Sequence, residues 1–288
     1  MLPYRHAVRV ELLVGIDRMR AATVVLQRTR LIDPLMGIWD APDVQWWWRQ
    51  PRATDDVPLP VWFDEVGPVG VALLTDWGDA VQGDALVVPG TVALDDVWSA
   101  LLRAAPPMLD VLARDDDTEL LDLLGDAGFA ATRERSASTW LDADRRPPVS
   151  PVPDGYRLVD RTQRLGVPHP MRPRNGDAVE ARLLETSLYE ATLDLSVETD
   201  DGAPAGYALF WHDDLTGVGQ LEPMRVLDEH QRRGLARALL TEGLERLARR
   251  GARRLKVGFD GPAGRALYTG AGFVIDAWAG SYRRGSTS

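Results

Sequence analysis

The stretch that decides the fold is EPMRVLDEHQRRGLA, at residues 222–236. It continues a predicted strand at residues 220–226 and leads into an amphipathic helix, whose leucines recur at helical spacing over residues 235–247. An Arg-Arg-Gly turn at residues 232–234 lies between them. The first N–H groups of a helix lack intrahelical partners, and the helix dipole favours negative charge there. The turn therefore predicts a pocket for phosphate or pyrophosphate, although an ordinary solvated turn would also use these residues.

A second motif follows at a distance of one strand. After a predicted strand at residues 253–259, the chain reads DGPAGRALYTGAGF at residues 260–273. The pattern Gln-x-x-Gly-x-Ala at residues 231–236 and the pattern Leu-Tyr-x-x-x-Gly-Phe at residues 267–273 together resemble the GNAT (Gcn5-related) N-acetyltransferase family. In that family the first motif is the acyl-CoA turn, and the second ends the closing helix.

The resemblance implies an α/β fold with a mixed sheet and an acetyl-CoA-dependent N-acetyltransferase. The acetyl group would pass directly to a primary amine, without an acyl-enzyme and without a metal. Backbone groups at residues 224–226 would pair with the pantetheine arm and polarise the thioester carbonyl, and N–H groups of residues 232–237 would hold the pyrophosphate. The predicted cofactor-binding residues are Met224, Arg225, Val226, Gln231, Arg232, Arg233, Gly234, Leu235, Ala236 and Arg237.

Two side chains are candidate catalytic residues by this resemblance. Glu222 lies on the strand before the turn, where a carboxylate can remove the ammonium proton directly or through water. Tyr268 lies on the closing helix, where a tyrosine can protonate the leaving thiolate. The alternatives are a salt-bridge role for Glu222 and simple packing for Tyr268.

The chain departs from the family pattern at two positions. Gly261 stands where an asparagine usually precedes the closing helix, which removes a side-chain hydrogen bond to the cofactor. Asp228 stands in place of the proline that is common in the turn. Both changes put the strength of acyl-CoA binding in question.

The order of predicted elements occurs twice along the chain. Gly70 and Phe129 of the first half correspond to Gly206 and Phe273 of the second half. We therefore predict two tandem GNAT-like domains, at residues 1–143 and 155–288, joined by a proline-rich linker at residues 144–154.

The first of the two predicted domains lacks the phosphate turn. Its strand is followed by VVPGTVAL at residues 87–94, with no arginine, and Asp95 and Asp96 would repel a pyrophosphate at the start of the next helix. Gly90 could still cap that helix. This copy is predicted to be degenerate, to shape the substrate cleft, and to leave one acetyl-CoA site per chain.

Two further segments carry structural expectations. The spacing of apolar residues from Leu12 to Val25 predicts a helix at the N-terminus, and residues 178–188 predict a helix near the acceptor side. Residues 33–52 are rich in proline, aspartate and tryptophan, with Trp39 and the run at residues 46–48. These tryptophans would either form an aromatic wall for a ligand or pack across a loop or domain interface.

Composition restricts the possible partners. The chain has 288 residues, no cysteine, and a net charge of −10, which disfavours nucleic acid and suits a small-molecule or peptide amine. Four scattered histidines show no metal-ligand spacing, and no apolar run reaches the roughly 20 residues of a membrane span. Because the N-terminus shows no signal-peptide pattern, we expect a cytoplasmic protein. We expect it to be a monomer or a homodimer.

A second function remains open from the sequence. The chain could be a non-catalytic acyl-CoA-binding sensor or protein-interaction module, which the glycine at position 261 favours. A nucleotide-phosphate loop is disfavoured, because the turn lacks the lysine and the Ser/Thr of that motif.

Overall fold

The computed structural model describes residues 8–285, which form two compact units. Unit 1 comprises residues 8–135 and 277–285, and unit 2 comprises residues 136–276. Within the described residues, no helix combines the length and the apolar character that crossing a membrane would require.

The helices and strands alternate in a mixed α/β pattern. The strands are β1 Arg9–Leu13, β2 Leu59–Phe63, β3 Pro68–Asp76, β4 Val81–Val87, β5 Leu109–Arg114, β6 Ala130–Asp142, β7 Tyr156–Asp160, β8 Asp194–Thr199, β9 Pro204–Asp213, β10 Val218–Val226, β11 Arg254–Phe259 and β12 Val274–Arg284. The α-helices are α1 Gly15–Ile32, α2 Ala41–Trp47, α3 Leu94–Ala104, α4 Thr118–Asp126, α5 Arg172–Asn175, α6 Val179–Leu184, α7 Leu235–Arg249 and α8 Pro262–Gly270.

The sheets of the two units have corresponding topologies. In unit 1 the strand order is β1-β2-β3-β4-β5-β12, and in unit 2 it is β7-β8-β9-β10-β11-β6. In each sheet one central pair is parallel, β4 with β5 and β10 with β11, whereas the other pairs are antiparallel. The repeated order of elements is the order that the sequence predicts.

The last strand of each sheet does not follow the order of the chain. Residues 137–142 of β6 pair with β11 in unit 2, and residues 279–284 of β12 pair with β5 in unit 1. The compact units therefore differ from the predicted stretches 1–143 and 155–288. Strand pairing depends on tertiary contacts. Domain limits predicted from the order of the chain therefore do not reveal that β6 joins the sheet of unit 2 and β12 joins the sheet of unit 1.

Helix α7 is packed closely against the sheet of unit 2. Its leucine stripe at residues 235–247 is buried, as the helical spacing predicts. A Cβ added at Gly243 would lie 2.0 Å from the ring of Phe210 on β9, so the absence of a side chain permits this close approach. The packing holds the start of α7, and the turn before it, against the end of β10.

The proline-rich segment at residues 144–154 lies along α7. Arg146 Nε contacts Glu245 Oε2 at 2.7 Å, and the backbone N–H of Ser150 donates to Thr241 Oγ1 at 2.9 Å. Near the end of the segment, Pro153 lies 3.6 Å from the position that a Cβ on Gly234 would take. The segment therefore runs along the helix towards its N-terminus, and it belongs to unit 2.

Two predicted helices have different limits in the structure. Leu12 and Leu13 lie in β1, where they are opposite Pro60 and Leu59 of β2, and the helix begins at Gly15. Pairing with β2 thus overrides the helical spacing of these two leucines. The helix expected at residues 178–188 ends at Leu184, and Thr186 Oγ1 donates to the Leu183 carbonyl, an alternative to continuing the helix.

The tryptophan-rich segment forms a short helix, α2. Asp40 and Asp43 form a capping box at its N-terminus, and Trp46 and Trp47 are buried in unit 1. The rings of Trp39 and Trp47 meet edge to face at 4.9 Å. The tryptophans of the run are therefore mostly packing residues.

Candidate active site

The sheet of unit 2 opens between its two parallel strands. Pairing of β10 with β11 covers Val218–Gln220 opposite Arg254–Lys256, although β10 continues to Val226 and β11 to Phe259. A bulge between Leu221 and Met224 interrupts the register of β10 with β9 at the point where this pairing stops. A gap results between the carboxyl ends of β10 and β11.

The predicted pantetheine-binding residues form one side of this gap. Met224, Arg225 and Val226 pair with β9, and β11 supplies no pairing partner for them. An extended ligand could therefore add to this edge of β10 as a strand would.

The turn after β10 has the backbone geometry of an anion-binding loop. Arg232 has φ 58° and Gly234 has φ 88°, so two left-handed residues flank Arg233. When left-handed and other backbone conformations alternate along a turn, successive N–H groups point towards the same side. Within the described residues, the backbone N–H groups of residues 232–237 have no hydrogen-bonded acceptor, and that of Ala238 is the first to bond back, to the Gly234 carbonyl at 3.0 Å.

Positive charge surrounds these N–H groups. The first turn of α7 contains no acidic residue, and residues 231–234 are exposed. Arg232 and Arg237 form no ion pair with any residue that the structure describes, whereas Arg233 Nη2 donates to the Glu229 carbonyl at 3.3 Å. The helix dipole and the guanidinium groups thus favour an anion at the same place.

Two side chains of the turn stabilise its shape. Gln231 Nε2 donates to the Val226 carbonyl at 3.2 Å and to Asp228 Oδ1 at 3.0 Å. The same Asp228 oxygen lies 3.5 Å from Arg225 Nη2. Asp228, which replaces the usual proline, therefore holds the turn by hydrogen bonds, and the Gln231 side chain faces the turn itself.

A contact with β7 also holds the turn. The Tyr156 hydroxyl lies 3.0 Å from His230 Nδ1, and the two rings meet edge to face. Sequence reasoning did not identify this pair, because 74 residues separate its members.

Of the two predicted catalytic residues, Glu222 lies on β10 beside the gap, and Tyr268 lies on the helix after β11, where its ring contacts those of Phe259 and Phe273. Glu222 is half-buried at the bulge of β10, and its carbonyl accepts a hydrogen bond from Trp211 Nε1 at 2.7 Å. Tyr268 lies on α8, which follows β11, and it is 8% exposed. Burial raises the pKa of Tyr268 well above its usual value, and the charges of Glu222 and Asp260 raise it further. The phenol is protonated at neutral pH, as an ordinary tyrosine is, and its burial makes it a weaker acid.

The start of α8 reflects the missing asparagine. Gly261 is the N-cap residue, and it makes no side-chain hydrogen bond. The Gly261 carbonyl still accepts from Arg265 N at 3.0 Å, so the helix forms without the asparagine.

A buried polar cluster in unit 2 could not be predicted from the sequence. His169 Nε2 lies 2.7 Å from Asp194 Oδ2, and the Tyr189 hydroxyl donates to the same oxygen at 2.9 Å. The Met171 N–H donates to His169 Nδ1 at 3.1 Å, so the ring proton is on Nε2. Burial raises the pKa of Tyr189, and the Asp194 charge adds to the effect.

This cluster connects to the strand that carries Glu222. The ring of Tyr189 meets that of Trp211 at 6.5 Å, and Trp211 donates to the Glu222 carbonyl. Tyr189 and Asp194 therefore support Glu222 through one intervening tryptophan. The chain carries no local pattern that links these residues.

No group of three or more His, Asp or Glu side chains among residues 8–285 could hold a metal ion. His6 lies outside the described residues.

The comparisons with known proteins agree with this geometry. Residues 169–273 match the sequence model of the family described as acetyltransferase (GNAT) family. This stretch is a GNAT domain. The predicted family is confirmed, and because the family consists of acyltransferases, the GNAT domain indicates an acyl-transferring enzyme. No curated protein matches the chain.

Solved structures extend the likeness to both units. A tandem GNAT protein from the clavulanic acid biosynthesis pathway is 18% identical, with 98% of this chain and 100% of that chain covered and a TM-score of 0.66. A GCN5-related N-acetyltransferase from Sphaerobacter thermophilus is 18% identical, with 98% and 96% covered and a TM-score of 0.58. A GCN5-related N-acetyltransferase from Kribbella flavida is 15% identical, with 95% and 97% covered and a TM-score of 0.53. At these identities the likeness shows the fold, and the predicted tandem GNAT fold is confirmed.

Proposed function

We propose that this protein transfers the acetyl group of acetyl-CoA directly to a primary amine. The observation that carries the proposal is the gap between β10 and β11, which leads into the unpaired N–H groups of residues 232–237. An open strand edge followed by an anion-binding turn suits a ligand with an extended amide-bearing arm and a pyrophosphate.

The backbone would bind acetyl-CoA along this path. The edge of Met224–Val226 pairs with the pantetheine arm, and an N–H of this edge donates to the thioester carbonyl as negative charge develops there. The N–H groups of residues 232–237 and the side chains of Arg232 and Arg237 hold the pyrophosphate. Gln231 and Asp228 act indirectly, because their hydrogen bonds hold the turn in shape.

The reaction needs one base and one acid. The Glu222 carboxylate accepts a proton from the acceptor ammonium, directly or through water, and the free amine attacks the thioester carbon. A C–N bond forms and the C–S bond breaks. The departing thiolate takes the phenolic proton of Tyr268, the second proton that the nitrogen loses restores the phenol through water, and the Glu222 carboxyl releases its proton to solvent. The Tyr268 phenol carries this proton before the reaction, as any tyrosine does at neutral pH.

The acceptor is a cationic amine, either of a small molecule or of a peptide. The net charge of −10 attracts a cation by long-range electrostatics, and the polar cluster of His169, Tyr189 and Asp194 supports the acceptor side of the strand that carries Glu222. The first domain is proposed to be a degenerate copy that binds no acetyl-CoA.

A panel of primary amines with acetyl-CoA tests the proposal. Release of free CoA thiol and formation of the N-acetyl product, both dependent on the amine, are the expected results. The alternative is a non-catalytic acyl-CoA-binding module. The glycine at position 261 favours this alternative, because it has no side chain to bind the cofactor. Such a module would be stabilised by acetyl-CoA but would release no thiol above the uncatalysed rate with any amine.

A further inference from the structure

The sheet of unit 1 also opens between its parallel strands. Pairing of β4 with β5 is confined to Gln82 opposite Asp110, and the strands then diverge. A cavity of about 140 Å³ lies at the divergence. An apolar cavity of roughly 150 Å³ is large enough to bind benzene. The space therefore accommodates a compact ligand of about that size.

The walls of the cavity are mostly apolar. They come from α1, the segment before α2, the two diverging strands, and the helices α3 and α4. The principal apolar side chains are Leu26, Ile38, Leu86, Leu94, Val111 and Leu120.

One carboxyl group is buried in this apolar wall. Asp84 is 5% exposed, Oδ1 accepts from Trp39 Nε1 at 2.8 Å, and Oδ2 accepts from Gln82 Nε2 at 2.8 Å. Both donors are neutral, and Asp84 forms no ion pair with a described residue. A buried carboxylate without a cation is costly, and a cation bound in the cavity would offset this cost.

The strand register gives Asp84 a counterpart in unit 2. Gln82 is the last residue of β4 paired with β5, and Gln220 is the last residue of β10 paired with β11. Asp84 and Glu222 each follow that glutamine by two residues. The carboxyl of unit 1 therefore occupies the position, relative to its open sheet, that the proposed base occupies in unit 2.

The other charged groups around the cavity also favour a cation. Asp117 and Glu119 line it, and Asp43 on α2 acts on Asp84 as a further negative charge. Arg114 also lines it, but its guanidinium is held by Asp116 at 2.8 Å and by the carbonyls of Leu35 and Gly37. The surroundings of Asp84 are thus negative overall.

We propose that this cavity binds a small organic monocation, with its ammonium group on Asp84 and its apolar body between β4 and β5. The ligand class is a primary alkylamine or arylalkylamine of about six to eight non-hydrogen atoms, as the size of the cavity dictates. This site is independent of the proposed acetyl transfer, because it lies within unit 1.

Acetyl-CoA does not fit the same site. The strand β4 is followed by Val88, Pro89 and Gly90, without the Arg-Arg-Gly turn. The first turn of α3 contains Asp95 and Asp96, which repel a pyrophosphate.

Titration calorimetry of the full chain with cyclohexylamine and benzylamine tests the proposal, against cyclohexanol and benzoate as neutral and anionic probes. We expect one amine per chain that remains bound in Glu222→Gln, with cyclohexanol and benzoate at least tenfold weaker. The affinity should fall below about pH 6, because burial raises the pKa of Asp84 to about 6 and a protonated carboxyl no longer pairs with an ammonium.

Three variants locate the bound amine. Asp84→Asn should weaken the amine at least tenfold, and Leu86→Trp, which fills the cavity from the same face of β4, should abolish binding and leave Asp84 intact. Glu222→Gln should leave this binding unchanged. Loss of binding in Glu222→Gln with retention in the other two variants would assign the amine to unit 2 and overturn the proposal.

Two further results would also overturn it. Equal affinities for cyclohexylamine and cyclohexanol would show that the carboxylate does not recognise charge. A second acetyl-CoA per chain that is lost in Leu86→Trp would make the cavity an acyl-CoA site. A cooperative unfolding transition shows that each variant is folded. A loss of binding is then not caused by a loss of the fold.

Discussion

The two units open their sheets at the same place but differ in the turn after the opening. In both, a parallel strand pair separates after a glutamine, and a carboxylate lies two residues further on: Asp84 in unit 1 and Glu222 in unit 2. The next segment is an Arg-Arg-Gly turn with unpaired N–H groups in unit 2, and a Pro-Gly-Thr turn followed by two aspartates in unit 1. The open sheet belongs to the fold, whereas we propose that a few residues of the following turn decide which ligand each opening binds.

A second difference lies in the strands themselves. Strand β10 has a bulge between Leu221 and Met224, whereas β4 keeps an unbroken register with β3 from Val81 to Val87. Glu222 at the bulge is half-buried, and Asp84 in the regular strand is buried. One extra residue in a strand therefore changes how a carboxylate at this position meets solvent.

The largest expected effect concerns catalysis in unit 2. Glu222→Gln keeps the size of the side chain and removes its charge, so acetyl-CoA affinity should persist and turnover should fall roughly 10²–10⁴-fold. Raising the pH should partly restore the rate, because solvent then supplies free amine. Steady-state rates of CoA release across pH, with a responsive amine, measure both effects.

Tyr268→Phe separates the acid from the base. Turnover should fall without rescue at high pH, since the thiolate still lacks its proton donor. Wild-type rates in both variants would leave positioning of the substrates as the source of catalysis, and the roles given to these two side chains would be wrong.

The next effect compares the two turns by matched substitutions. Gly234 and Gly90 both have positive φ, 88° and 78°, so Asp at either position introduces similar backbone strain. At 100 times its Kd, acetyl-CoA should stabilise the wild type by about 2.7 kcal/mol. Gly234→Asp should abolish this stabilisation, because its carboxylate faces the pyrophosphate, and Gly90→Asp should keep it.

Thermal unfolding with and without acetyl-CoA provides the measurement. An undiminished shift in Gly234→Asp, or its loss in Gly90→Asp, would move the acetyl-CoA site away from the turn of unit 2. Calorimetry should find one acetyl-CoA per chain.

A smaller effect concerns stability and the carboxyl of unit 1. Burial raises the pKa of Asp84 from 3.8 to about 6, so the folded protein retains a proton that the unfolded chain has lost in this range. The stability contribution of Asp84 therefore falls as pH rises from about 4 to about 6. Asp84→Asn lacks this dependence, and its stability relative to the wild type should rise by about 2–3 kcal/mol across the range.

Urea unfolding of both proteins at pH 4 and pH 8 tests this, without added amine. If the difference in unfolding free energy between the two proteins is the same at both pH values, the pKa of Asp84 is not raised by folding. The deeper burial of Asp84, compared with Glu222, would then have no effect on its ionisation.

The smallest effect concerns the support of the unit 2 turn. Thr241→Val removes the oxygen that accepts the Ser150 N–H and should cost about 1 kcal/mol of unfolding free energy. Ser150→Ala keeps the backbone donor and should change stability by less than about 0.5 kcal/mol. Equal effects of the two changes would show that the hydrogen bond does not hold the segment at residues 144–154 on α7.

Local features were predictable wherever neighbouring residues decide them. The start of α7 at Leu235 follows from a left-handed Gly234 and a leucine stripe, and both lie within one stretch of chain. The same holds for β11, whose first residue differs from the predicted one by one position. The doubled order of elements was also readable, because each copy repeats its own pattern of strands and helices.

The sequence by itself therefore determined the GNAT domain, the repeated α/β order and the left-handed turn that starts α7. Helix starts, glycine conformations and hydrophobic periods depend on residues close in the chain. The tertiary structure alone decided the exchange of β6 and β12, the cluster of His169, Tyr189 and Asp194, and the burial of Asp84 beside Trp39. Strand pairing and desolvation arise from segments that are distant in sequence, and no local pattern records which of them meet.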